Sequence, residues 1–141
     1  MSVRNTILDN LLTGLAAVDG VMTASRDFKE YPCANTTHYP ALFIADDGGD
    51  EITNYCDADR GQEKMLILVA GYYHRAENLS AGFNDFLENV MDAIYAPISL
   101  GSYARDCTIV AVNPIVTIPA ENAALFYMHL EIKYWRTLGG A

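Results

Sequence analysis

Residues 124–135 alternate strictly between two chemical characters, and this constrains the fold more than any other feature of the chain. Phe126, Met128, Leu130, Ile132 and Tyr134 fall on one side; Tyr127, His129, Glu131, Lys133 and Trp135 fall on the other. Successive side chains of a strand point to opposite faces, so the segment reads as one strand with a single face in a core. The other face mixes aromatic and charged groups, as an interface patch does. Helices lying over that face would be the plainer alternative.

The rest of the chain supplies partners for such a strand. Residues 65–73 are an almost continuous apolar run, which predicts a central strand covered on both faces. Residues 39–45 predict a strand entered through Pro40, a tolerated strand start. Shorter strands are expected at 21–25 and 52–55. Another is expected at 107–112, continuing over 115–118 beyond a kink at Asn113 and Pro114. Two segments carry a helical period instead. In residues 3–18, Val3, Ile7, Leu8, Leu11, Leu12 and Leu15 share a face, Ser2 can cap the start and Gly20 stands near the end. A second helix opens at Asn78 or Ser80 and runs to Tyr95, with Leu79, Phe83, Phe86, Leu87, Val90, Met91 and Ile94 on its apolar side. Residues 26–38, 46–51, 56–62 and 120–123 read as loops or turns, and 138–141 as a loose tail. The expected class is α+β: one domain over residues 1–141, with a mostly antiparallel or mixed sheet packed by two amphipathic helices.

Length and charge bound what such a domain does. At 141 residues the chain suits one domain that buries about 70% of its unfolded surface. Eighteen acidic residues against nine basic ones leave a net charge of −9. That argues against a duplex-DNA binder, which needs a basic stripe to displace counterions, and against docking on anionic lipid. It still permits DNA to pass close by, because an acidic wall repels phosphate. Cys33, Cys56 and Cys107 are odd in number and lack a CxxC pair, so a reducing compartment is expected. Asp9 and Asn10 interrupt any signal-peptide core, and no apolar run approaches the ~20 residues of a membrane span, so no membrane role is expected.

Candidate chemistry is sparse. No Gly-x-Ser-x-Gly elbow and no phosphate-cradling glycine loop occurs. Cys33 and His38 share a loop, yet no third group in the sequence orients them as a nucleophile and base. The run from Asp57 through Asp59 to Gly61 resembles the opening of a calcium loop. An EF-hand needs glycine sixth and glutamate twelfth, and those positions hold Gln62 and Leu68. Asp46, Asp47, Asp50 and Glu51 form an acidic turn that reads as solvated. The expectation is a non-catalytic chain with no cofactor and no metal.

The pattern as a whole resembles the tail-terminator (minor tail) proteins of long-tailed bacteriophages. An N-terminal helix ends in Ala-Ala-Val-Asp-Gly-Val over 16–21 and leads into a strand. A strand Tyr-Pro-Ala-Leu-Phe-Ile over 39–44 precedes an acidic glycine turn. The central strand Leu-Ile-Leu-Val-Ala-Gly-Tyr over 66–72 leads into the second helix, and Phe-Tyr-Met-His-Leu-Glu-Ile-Lys-Tyr over 126–134 closes the order. The resemblance spans nearly the whole chain. It implies a virion structural protein at the tail–neck junction, assembled in the host cytoplasm. There a six-fold ring of copies would cap the tail tube, stop its growth and meet the neck or head-completion protein, with genomic DNA passing through unbound. Six heterologous contacts close a ring and end a stack.

Interface candidates are Asp46, Asp47, Asp50, Glu51, Asp57 and Asp59 in the acidic loops, and Tyr127, His129 and Trp135 on the last strand. Changing Asp46, Asp47 and Asp50 to Lys is expected to spare folding and impair assembly. Two classes of alternative stay open: a neck or head-completion protein, and a small cytoplasmic enzyme or regulatory binding module.

Overall fold

The periodic segments become elements in the computed structural model, which describes residues 3–29, 31, 39–47, 51–55, 60–95 and 104–137. Residues 51–55, 60–62, 104–106 and 135–137 are described by backbone alone. Helix α1 covers Val3–Ala16, and α2 covers Leu79–Tyr95. The strands are β1 (Thr23–Ser25), β2 (Ala41–Asp46), β3 (Glu51–Tyr55), β4 (Arg60–His74), β5 (Ala104–Ile118) and β6 (Ala123–Thr137). A short 3-10 turn at Pro119–Glu121 joins the last two.

The strands form one six-stranded mixed sheet in the order β1-β2-β4-β6-β5. β1 runs parallel to β2, and every other pairing is antiparallel. β4 and β6 pair along their full length, from Arg60 opposite Thr137 to His74 opposite Ala123. The other edge of β4 is shared: β3 takes its first residues and β2 its last. The α+β class is as expected.

Both helices lie on one face of the sheet. Ile7, Leu8, Leu11 and Leu15 of α1 and Phe83, Phe86, Val90 and Ile94 of α2 pack on Met65, Ile67 and Val69 of β4 and on Phe126, Met128, Leu130 and Ile132 of β6. The i, i+3/i+4 spacing of the helices and the i, i+2 spacing of the strands meet here, and each fully buried Leu, Ile or Phe contributes about 1.5–3 kcal/mol. Gly71 belongs to this interface: a Cβ there would lie 2.2 Å from the Phe126 ring, so only glycine lets that ring cross the strand. α1 ends two residues earlier than its period suggests. The turn after it holds Gly20 at φ +84°, a left-handed conformation that glycine adopts without strain.

The expectation that the 65–73 strand is covered on both faces needs correcting. Its helix face is sealed, but on the opposite face Leu66 and Leu68 remain half-buried and only Ala70 and Tyr72 are covered. The cover there is aromatic. Phe28, Tyr31 and Tyr39 pack on Ala41, Phe43, Ala70, Tyr72 and Leu125, and the Tyr72 hydroxyl donates to the Lys29 carbonyl oxygen at 2.5 Å. The two expected pieces at 107–112 and 115–118 are one strand, β5, whose register against β6 shifts between Val112 and Ile115. The strand β4 begins at Arg60, so the expected turn over 56–62 ends before that residue. Its residues 56–59 and the tail 138–141 lie outside the described residues.

Candidate functional site

The face of the sheet away from the helices holds the polar residues singled out in the last strand. Side chains at 127, 129, 131 and 133 of β6 point there because 126, 128, 130 and 132 point into the helix-side core. The helices therefore do not cover this face, which settles the alternative raised by the alternation.

His129 is its centre. It stands opposite Leu68 of β4 and Ala111 of β5. Its Nδ1–H donates to Asp47 Oδ2 at 2.5 Å, and its Nε2–H donates to the Asn113 carbonyl oxygen at 2.9 Å. Asp47 follows the end of β2 and is held there by its own backbone N–H, which donates to the Leu66 carbonyl oxygen at 2.9 Å. One imidazole thus ties the end of β2, across β4, to β6 and to the register break of β5. Both partners are acceptors, so the doubly protonated imidazolium is the form that satisfies both. The His129 pKa accordingly lies above its ordinary 6.5. The Asp47 hydrogen bond is the largest cause, followed by the Asn113 carbonyl; burial opposes them, and the Asp47 charge adds to the rise.

Asp46 points elsewhere, to Arg4 of α1, whose Nη2 donates to its Oδ1 at 3.0 Å. Asp46 and Asp47, the first two aspartates of the acidic segment, therefore have separate structural partners, one clamping a helix to the sheet and one anchoring His129. This revises the expectation for Asp47: a lysine there would set an ammonium against the imidazolium. Tyr127 packs edge-on to Tyr72, with ring centroids 6.5 Å apart, so its ring also serves the smaller core. Glu51 opens β3 in register with Lys64, and Trp135 lies in β6 opposite Gln62. Asp50, Asp57 and Asp59 lie outside the described residues, as do Cys33 and His38.

Two polar features were not legible in the sequence. His74 stacks flat on Tyr39, with centroids 3.9 Å apart, and its Nε2 lies 3.1 Å from the Tyr31 hydroxyl. Burial pushes its pKa down, against the opposing charge of Glu121. Glu63 is buried at 3% exposure on the helix side of β4 and accepts a hydrogen bond from the Tyr134 hydroxyl directly across the strand pair. Glu63 shares a face with Met65, Ile67 and Val69, but the unbroken apolar run of 65–73 carries no alternation that reveals which face the helices cover. Among the described residues no group of three or more His, Cys, Asp and Glu side chains is arranged to hold a metal ion. Among them, too, no helix is long and apolar enough to cross a membrane.

No protein-family model matches the chain, and no curated protein matches it. Among solved structures, the fold matches a chain of the virion of a native gene transfer agent particle. The TM-score is 0.50 and the identity 11%, over 96% of this chain and 92% of that one. At that identity the likeness is one of fold, and it extends over nearly the full length of both chains.

Proposed function

We propose that this protein is a structural, non-catalytic component of a phage-like particle, acting as a tail terminator. In this reading the whole chain, residues 1–141, is one domain. Six copies form a ring on the head-proximal end of a tail tube, stop its growth and present a surface to the neck or head-completion protein. The observation that carries the proposal is the fold shared with a virion chain over almost all of both molecules. The charge supports it. The exposed side of α2 carries Asp85, Glu88 and Asp92, the helix contains no Lys or Arg, and the whole chain has a net charge of −9. Such a surface beside passing DNA repels phosphate and does not trap it.

The interface residues proposed are Asp46, Asp50, Glu51, Asp57, Asp59 and Trp135. Asp47, His129 and Tyr127 shape the open face of the sheet. The test is deletion of the gene in a strain that produces the particle, read by electron microscopy. A terminator's loss leaves tubes of uncontrolled length without heads. Tails of normal length that fail to join heads would favour the neck reading, and particles of normal form would overturn both.

A further inference from the structure

β5 carries a bulge at the point where His129 reaches it. Val112 lies opposite Met128 and Ile115 opposite Phe126, so Asn113 and Pro114 together stand against the single residue Tyr127. Pro114 has no N–H to donate to a ladder. The Asn113 carbonyl oxygen instead accepts from Nε2–H of His129 at 2.9 Å, while Nδ1–H of the same ring donates to Asp47 Oδ2. We infer that His129 is a protonation-operated latch on this bulge: the imidazolium holds the Asn113 carbonyl, and loss of the Nε2 proton releases the bulge while the bond to Asp47 remains.

The acceptors decide which bond is lost. A neutral imidazole carries one N–H and one lone pair. Asp47 offers a carboxylate and Asn113 a neutral amide oxygen, and a hydrogen bond to an ionised acceptor is the stronger of the two. Nδ1 therefore keeps its proton. The Nε2 lone pair then faces the Asn113 oxygen at 2.9 Å, and an attraction becomes a repulsion. The ring is 34% exposed, so its proton exchanges with solvent directly. The surroundings favour the charged form. On β6, Tyr127 and Glu131 flank His129 on the same face, with Lys133 beyond Glu131. On β4 the nearest residues of that face, Leu66, Leu68 and Ala70, are uncharged, and Lys64 lies further along, in register with Lys133. On β5, residues 107–118 hold no ionisable group but Cys107, which packs on the helix side. Asp46 is turned to Arg4. The Asp47 bond, then the Asn113 bond, raise the His129 pKa above 6.5, so the bulge is held below that raised value and released above it. β4 and β6 pair without a break on both sides of His129, so their ladder stays in place. What moves is the path of β5 into Ile115 and Val116, two exposed hydrophobic side chains.

The latch does not rest on the assembly reading above, and its test needs no particle. The purified full chain, labelled with ¹³C and ¹⁵N, is titrated by NMR from about pH 5 to about pH 9. The Asn113 carbonyl carbon and the amides of Val112 and Ile115 are expected to shift with the same midpoint as the His129 ring. The ring nitrogens should show the Nδ1–H tautomer above that midpoint. His74, whose pKa burial lowers, titrates separately. Hydrogen exchange, corrected for its intrinsic pH dependence, should speed at least about tenfold at residues 112–116 across the His129 midpoint and stay unchanged at Met128 and Leu130. In D47N the ring midpoint and the Asn113 midpoint should fall together. In H129Q, whose amide donates at every pH, the pH dependence at residues 112–116 should vanish. The titration of the unmodified chain decides the matter even if a variant fails to fold. An Asn113 carbonyl that does not follow the His129 midpoint would overturn the inference. So would a neutral ring protonated at Nε2, or protection at residues 112–116 that ignores the His129 titration.

Discussion

The two faces of this sheet are held by different physics. On the helix side, residues from α1, α2, β2, β4 and β6 form one continuous apolar cluster that shields Met128 and Phe126 completely. On the other side, a smaller aromatic cluster covers only one end of β4, and His129 spans the rest by hydrogen bonds to Asp47 and Asn113. Neighbours on one strand thus answer to different forces: Met128 to packing, His129 to charge and geometry. The helix face sets whether the chain folds. The open face sets how its strands are tied and what it presents.

Substitutions on the two faces should therefore differ in size and in pH dependence. Phe126→Ala opens a cavity beneath Phe83 and Phe86 of α2 and is expected to destabilise by about 3–5 kcal/mol in urea unfolding. Tyr127→Ala, one residue on, should cost about 1 kcal/mol, because that ring is half-buried. A Tyr127 effect as large as that of Phe126 would erase the distinction between the faces. Next comes Tyr134→Phe, which removes the hydroxyl donating to buried Glu63 and should cost about 1–3 kcal/mol.

The open face should show its own signature in pH. The native pKa of His129 lies above 6.5, so its stabilisation is complete below the unfolded pKa and disappears as pH rises through the native value. Wild-type stability should fall over that window by less than about 1 kcal/mol, because the pair is partly exposed and screened. In Asp47→Asn the decline should flatten, and the His129 titration followed by NMR should move back toward its ordinary value. An unchanged His129 titration would remove Asp47 as the main cause. The smallest effect belongs to the exposed pair of Arg26 with Asp9, 2.9 Å apart. Arg26→Ala should cost about 0.5 kcal/mol or less, with the loss shrinking in high salt.

Much of the architecture was readable because it is periodic. The strict alternation of β6 and the helical spacing of Phe83, Phe86, Val90 and Ile94 each name an element and the face it buries. The aromatic cover over Tyr72 was not readable. Phe28, Tyr31 and Tyr39 come from irregular chain and share no period. The continuation of β5 past Pro114 was expected as a kink, but the register shift against β6 that accommodates it was not readable. For the candidate site, His129 and the acidic turn were each visible as residues of interest. Their joining was not, since Asp47 and His129 are 82 positions apart.

The sequence by itself determined the class of fold, the two amphipathic helices, the acidic surface and the strand whose two faces differ. Each of these follows from local spacing or from composition. Only the tertiary structure decided which face the helices take, that Asp46 and Asp47 are held by Arg4 and His129, that Glu63 is buried, and that β5 is the last of the described strands in the sheet. These depend on strand order and register, which bring distant residues together, and no local period encodes which strands become neighbours.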